Sequence, residues 1–265
     1  MAVITISRGS YSHGREVAEK VCARLGYHCV SREIILKASE HFNTPEIELT
    51  RAVHDAPSIL ERFTYGKERY VAYFREALLH HLIEDNVIYH GLSGQFFVKG
   101  VSHALRVRII ADIKDRLALE MQHGGGGSEA DNLKLLIKDD EQRRRWSHYL
   151  YGIDTRDPSL YDLVIHVGRV STDDAVEIVA DAVSKSCFQT TAESQKAMEL
   201  LFKAAQVQAA LVKDIPSAKV EVENGEIVVS DMGGFMADDK KLTARIEEIV
   251  DEKRDLKVKV RLRSR

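Results

Sequence analysis

The run Val3-Ile4-Thr5-Ile6-Ser7 passes straight into Arg8-Gly9-Ser10-Tyr11-Ser12-His13-Gly14-Arg15-Glu16, and this junction constrains the chain more than any other stretch. β-branched residues over so short a run favour a strand. Past the second glycine, Val17, Val21 and Leu25 recur at one-turn spacing, Ala18 and Cys22 widen the stripe, and Gly26 stands where a left-handed cap would end a helix. A strand, a glycine-bounded loop and a helix N-terminus form a cradle for anions, because the first amides of the helix point at the loop without partners. Gly9 and Gly14 have the separation of a phosphate loop, with Arg15 where that motif has lysine and Glu16 where it has a hydroxyl residue for magnesium. Arg15 can fork onto phosphate oxygens. Glu16 suits the helix dipole but would repel a triphosphate if it pointed inward. An ordinary strand-to-helix turn has the same two glycines, so the loop alone leaves both readings open.

The chain beyond it alternates. His28-Cys29-Val30 reads as a strand, and Ser31 caps a helix through Ile34, Ile35 and Ala38. Thr44-Pro45 and Pro57 are helix starts, and Val71, Phe74, Leu78 and Leu82 mark a longer helix from about residue 67 to 85. Val87–His90, Leu105–Ile110 and Asp162–His166 are further strands, with helices from Asp112 to about Gln122 and after Ser171-Thr172. Short apolar strands separated by helices predict an α/β fold: a five-stranded parallel sheet covered on both faces, with ligand sites beyond the strand carboxyl ends. Gly9, Gly91 and Asp112 all fall at such ends.

Between about residues 123 and 151 the texture changes. Gly124-Gly125-Gly126-Gly127-Ser128 has the composition of a mobile coil, native or introduced, and residues 130–137 and 139–151 read as two helices, the second carrying Asp140, Arg143, Arg144 and Arg145. A basic helix beside a mobile segment suits a lid over a polyphosphate; a solvated charged face has the same pattern. From Thr191 an alanine-rich helix to Val212 is followed by two alternating strands around Asn224-Gly225, a strong hairpin signal. A helix from about Asp238 to Glu252 and a strand over Leu256–Leu262 complete a small α+β unit, giving domains at 1–188 and 189–265. In that last strand Lys257, Lys259, Arg261 and Arg263 share one face, either a solvated row or a contact for an anionic surface.

Composition removes several alternatives. A net charge of -3 gives no overall bias toward nucleic acid or anionic membrane. The three cysteines lack metal-ligand spacing and the 11 histidines are scattered, so no metal site is assigned to them. No apolar run approaches membrane-spanning length and no signal-peptide pattern opens the chain, so a soluble cytoplasmic protein is the expectation.

Over about residues 1 to 186 the sequence resembles the cytidylate kinase-like proteins, relatives of the nucleoside monophosphate kinases. The resemblance rests on Ile4–Arg8, Gly14-Arg15-Glu16, Leu25-Gly26-Tyr27, Ser31–Ile35, Leu105–Ile109, Asp140–Trp146 and Asp157–Ile165. It implies transfer of the ATP γ-phosphoryl, with Mg2+, to a nucleoside monophosphate, CMP first among them. Gly9, Ser12, His13, Gly14, Arg15 and Glu16 would hold the ATP phosphates; Arg32, Gly91 and Asp140 would serve the acceptor side; Arg15, Arg143 and Arg145 would neutralise the transferring group. Two departures stand out. Tyr11-Ser12-His13 has less glycine than relatives usually carry, and Gly91-Leu92 stands where they usually have Gly-Arg. The lost cation supports a second reading, a catalytically weak nucleotide-binding regulator acting through its C-terminal unit. That unit resembles a BON-type module in element order, which implies an anionic lipid or a protein as its partner.

Overall fold

The computed structural model describes residues 2–38, 60, 63–123, 126–231, 243–244, 246–248 and 259–260. Strand β1 (Val3–Arg8) leads through the loop into α1 (Gly14–Leu25), then β2 (His28–Ser31) and α2 (Arg32–Ala38). The next long described helix is α3 (Gly66–Leu82), followed by β3 (Val87–His90), β4 (Ala104–Ala111) and α4 (Ile113–Gln122). Then come the long α5 (Glu129–Tyr151), β5 (Leu163–Val167) and α6 (Thr172–Val183). The helix starts expected at Thr44-Pro45 and Pro57 lie outside the described residues, as do Gly124 and Gly125.

All five strands are parallel, in the order β2-β3-β1-β4-β5. From central β1 the chain goes to one side through α1 to β2 and later to the other side as β4. The carboxyl ends of β1 and β4 therefore flank the point where the winding reverses, the place where open α/β sheets bind ligands. Alternation along the strands sorts side chains between two apolar layers. Ile4, Ile6, Ile88, Leu105, Val107 and Ile109 pack with Val17, Val21, Val176 and Val179 of α1 and α6. Val3, Val87, Tyr89 and Ala104 turn the other way, toward Tyr73, Leu78, Trp146 and Met198. Arg106 and Arg108 alternate with the apolar residues of β4, opposite Thr5 and Ser7 of β1.

One expectation is corrected. Residues 130–137 and 139–151 form a single helix, α5, because Ile137-Lys138-Asp139 offers neither proline nor glycine to interrupt it. Its ends follow ordinary capping: the Asp131 amide donates to the Ser128 hydroxyl at 3.2 Å, and Gly152 closes the helix at φ 69°.

Beyond α6, α7 (Ala192–Leu211) precedes the antiparallel hairpin of β6 (Ala218–Glu223) and β7 (Glu226–Asp231). Asn224 at φ 51° and Gly225 at φ 77° supply the two left-handed residues that such a tight turn requires. Strand β8 (Lys259–Val260) adds in parallel to β7. Of the helix expected over 238–252, residues 243–244 and 246–248 are described and helical; the other expected residues of that helix and of the last strand, and the side chains of the cation row, lie outside the described residues. Helix α7 covers the small sheet with Ala204, Val207, Ala210 and Leu211. It also turns Met198, Ala205, Ala209 and Val212 into the layer around α3. A unit beginning at residue 189 thus shares the buried faces of its first helix with the residues before it.

Candidate active site

The loop between β1 and α1 is held in an unusual shape. Tyr11 and His13 are left-handed at φ 54° and 60°, a conformation that costs non-glycine residues about 1–3 kcal/mol each and that collects at binding sites. Inside the loop, the Ser12 hydroxyl donates to the Gly9 carbonyl at 3.0 Å. Gly14 is required by a close approach: a Cβ there would lie 2.5 Å from the Cβ of Arg8. Gly14→Ala is accordingly expected to cost about 1–3 kcal/mol by overpacking and to push Arg8 out of place. Urea unfolding beside an ATP titration checks this, and a variant matching wild type in both would mean that Arg8 yields freely.

Glu16 does not confront the loop alone. Its carboxylate pairs with Lys20 at 2.8 Å, meets His13 Nδ1 at 3.1 Å and accepts from Thr172 Oγ1 at 3.2 Å. The Lys20 contact leads the causes that hold its pKa below the usual carboxylate range. These contacts tie α1 to the start of α6, where Lys20 also pairs with Asp173 at 2.8 Å, and offset part of the repulsion that a bare Glu16 carboxylate would exert on a phosphate.

Arginines dominate what faces the loop. Arg116 of α4, nearly buried, donates from Nε to the Ser10 carbonyl at 2.7 Å and forks onto Asp140 of α5 at 2.7 and 2.8 Å. Ser10 also hydrogen-bonds Asp139, so the loop and α5 are joined twice. Arg143, one turn further along α5, lies 3.3 Å from Asp139. Arg8, at the end of β1, has a pKa lowered by burial and by the nearby Arg143 guanidinium.

Two cavities meet here. One of about 530 Å³ is lined by residues 10–16 of the loop and first turn, with Leu119, His123, Arg8 and Arg143. The other, of about 460 Å³, is lined by Gly9, Leu92, Arg108, Arg116, Asp140, Arg144 and Arg156 among others, again with Arg8 and Arg143. Arg8, Ser12 and Arg143 belong to both walls. His13 and Leu119 also border a wider hollow past β5, where His166 faces Asp112 at 3.4 Å.

The residues singled out in the sequence fall in different places. Gly9, Ser12, His13, Gly14, Arg15, Glu16, Asp140 and Arg143 all line one or both of the two meeting cavities. Arg15 borders the first, but its side chain is 72% exposed and bound to Glu19 at 2.8 Å. Arg145 lines neither cavity; it is 71% exposed and pairs with Glu141 at 3.0 Å. Arg32 and Gly91 also lie off both walls: Arg32 donates to the Tyr70 hydroxyl at 3.3 Å, and Gly91 is fixed as glycine because a Cβ would lie 2.4 Å from the Tyr89 hydroxyl. Arg8, Arg108 and Arg116 were not singled out as site residues. The available signal was an arginine in every second position of a strand, Arg106 and Arg108, where a sheet covered on both faces should be apolar.

A family model described as the cytidylate kinase-like family matches residues 3–169, from β1 through β5. The chain belongs to the cytidylate kinase-like family. Its curated relatives include the cytidylate kinases of Thermococcus kodakarensis and Pyrococcus horikoshii, each 30% identical over 100 residues, which is 38% of this chain and 50% of each relative. The chain thus aligns with about half the length of the curated relatives it matches. A crystal structure of an uncharacterized protein from Eubacterium ventriosum shares the fold, with a TM-score of 0.54 at 16% identity over 70% of this chain and 100% of that one. In this cytidylate kinase-like protein the family match ends before α6, so residues 189–265 lie wholly outside it.

Proposed function

We propose that the protein is a nucleoside monophosphate kinase that moves the γ-phosphoryl of ATP to CMP or a related monophosphate. The observation that carries this reading is the pair of adjoining cavities whose common wall holds Arg8, Ser12 and Arg143. Transfer between two phosphates needs both held end to end with cations at the junction, since the protein contributes mainly positioning and charge neutralisation. Bound Mg-ATP supplies the phosphoryl group and a divalent charge. The loop amides around Gly9, Ser12, His13 and Gly14 hold the donor phosphates, and Arg15 exchanges its Glu19 contact for one of them. Asp140 keeps Arg116 against the loop, while Arg143 shields the charge that develops between donor and acceptor. Arg32 and Gly91 act from the adjoining side. The described residues hold no cluster of three or more side chains able to bind a metal. Mg2+ would therefore take its oxygens chiefly from phosphates and water, as this ion commonly does.

Leu92 supports a second reading. It puts an apolar side chain in the wall of the second cavity, where a weaker catalyst could serve as a nucleotide-responsive regulator. The BON-like segment from 189 onward would then carry the signal to an anionic lipid or a protein. A coupled assay for ADP release with ATP and a panel of nucleoside monophosphates decides between them. The kinase reading expects CMP-dependent turnover. ATP binding without turnover on any monophosphate would select the regulator.

A further inference from the structure

The charge balance of the second cavity is uneven. Most of its arginines already have a carboxylate: Arg116 has Asp140 at 2.7 Å, Arg143 has Asp139 at 3.3 Å, Arg144 has Glu141 at 2.7 Å and Arg156 has Asp154 at 2.6 Å. Arg8 and Arg108 differ. Among the described residues neither has a carboxylate in ion-pair contact, the Glu33 carboxylate acts on Arg8 only from beyond that distance, and Arg8 Nε is buried without a hydrogen-bond partner.

Arg108 is nonetheless held firmly, by neutral groups. Its Nη1 lies 3.3 Å from both the Ser7 hydroxyl and the Tyr161 hydroxyl, and its guanidinium stands over the Tyr161 ring at 5.6 Å. Tyr161 is itself buried and fixed, donating to the Thr155 carbonyl at 2.9 Å and accepting from Gln95 at 3.1 Å. Ser7 pairs with Arg108 in the register of β1 and β4, and Arg8, next in the chain at the strand end, lines the same cavity as Arg108. Neutral oxygens and a ring face orient a guanidinium without cancelling its charge. Arg8, whose pKa burial lowers, is costly to leave in this state unless an anion completes it.

From this we infer that Arg8 and Arg108 together seat a phosphate monoester dianion in the cavity beside Leu92, with Tyr161 as the positioning residue that aims Arg108. Assigning that monoester as the acceptor of phosphoryl transfer rests on the kinase function proposed above; the anion seat itself does not. Two cations without a carboxylate in contact match the dianion, and Leu92 leaves the seat dependent on cations from the sheet rather than from the segment after β3.

The test uses the full chain titrated with CMP, with cytidine and with inorganic phosphate, followed by calorimetry and by melting temperature. Wild type should bind CMP and phosphate and ignore cytidine at the same concentrations. Arg8→Met and Arg108→Met should each weaken CMP and phosphate binding by about tenfold or more, the loss expected when a charge-assisted hydrogen bond disappears. Added phosphate should raise the melting temperature of wild type more than that of either variant. Arg24→Met, on the far part of α1, should bind as wild type does. If a methionine variant does not fold, Arg8→Lys and Arg108→Lys carry the test: they keep the charge but lose the fork, and should bind CMP more weakly than wild type. Undiminished CMP and phosphate binding in the folded variants overturns the seat, as does a wild type that binds neither. CMP turnover with an unchanged KM for CMP in Arg108→Met would sink the seat and leave the kinase standing. Loss of binding in the variants of a protein that never turns over CMP would do the reverse.

Discussion

Replacing Arg143 by alanine should lower kcat for CMP phosphorylation by about a thousandfold, while KM for ATP moves by less than about tenfold, as expected for a cation that acts mainly in the transition state. Position is the reason. Arg143 lines both cavities, is 27% exposed, and sits close enough to Arg8 to lower that group's pKa. Two guanidinium groups crowded at one wall repel each other until an anion lies between them, so under the proposed kinase function their pull would be greatest on the phosphoryl in transfer. Arg145, two residues on, is a built-in comparison. It pairs with Glu141 at the surface, where solvent screens such a bond, and Arg145→Ala should leave kcat within about threefold of wild type. Steady-state kinetics on both variants checks the pair. Equal losses would mean that α5 presents a different face to the nucleotides.

The sheet was legible in the sequence because its strands are short β-branched runs bounded by glycine or cap residues, and because the helix stripes recur at one-turn spacing. Ser171, Asn224-Gly225 and Gly26 ended or joined elements where local chemistry alone requires it. The loop was legible for the same reason: Gly14 opens α1, and its glycine is forced by Arg8. What pattern reading lacked was direction. Arg143 and Arg145 are equivalent as letters, yet a turn of about 200° separates them on a helix, so one lines the two cavities and the other faces water. Arg8 and Arg108 lie a hundred residues apart and meet only in the wall of the second cavity. Arg32, placed at the site by family resemblance, stands beside Gly91 because Tyr89 and Tyr70 occupy the space between β3 and α3. The division of α5 into two helices failed because a local run of charge resembles a boundary, whereas only a residue that cannot continue the backbone pattern imposes one.

The second large effect concerns how far that helix can move. Trp146→Ala should destabilise the protein by about 3–5 kcal/mol, the usual range for removing a large buried aromatic, out of a total of about 5–15 kcal/mol. Trp146 is 1% exposed, meets Tyr70 edge-on at 5.3 Å between ring centroids, and shares the layer of Leu150, Phe74 and Met198. The carboxyl half of α5 is therefore part of the core. Its amino half is mixed: Leu135 and Ile137 are each 56% exposed, while Asn132 and Leu136 are buried at 1% and 3%. The Asp139–Asp140 contacts with the loop and α4 add to this anchoring, and Arg143 lies between them and Trp146. Urea unfolding of Trp146→Ala and Trp146→Phe, with intact Arg143 in both, separates anchoring from catalysis. The phenylalanine variant should recover most of the stability and nearly all of the turnover, because a ring still fills the space against Tyr70. If alanine costs less than about 1 kcal/mol, the helix is not anchored there, and Arg143 would have to be carried to the phosphates by a motion of all of α5.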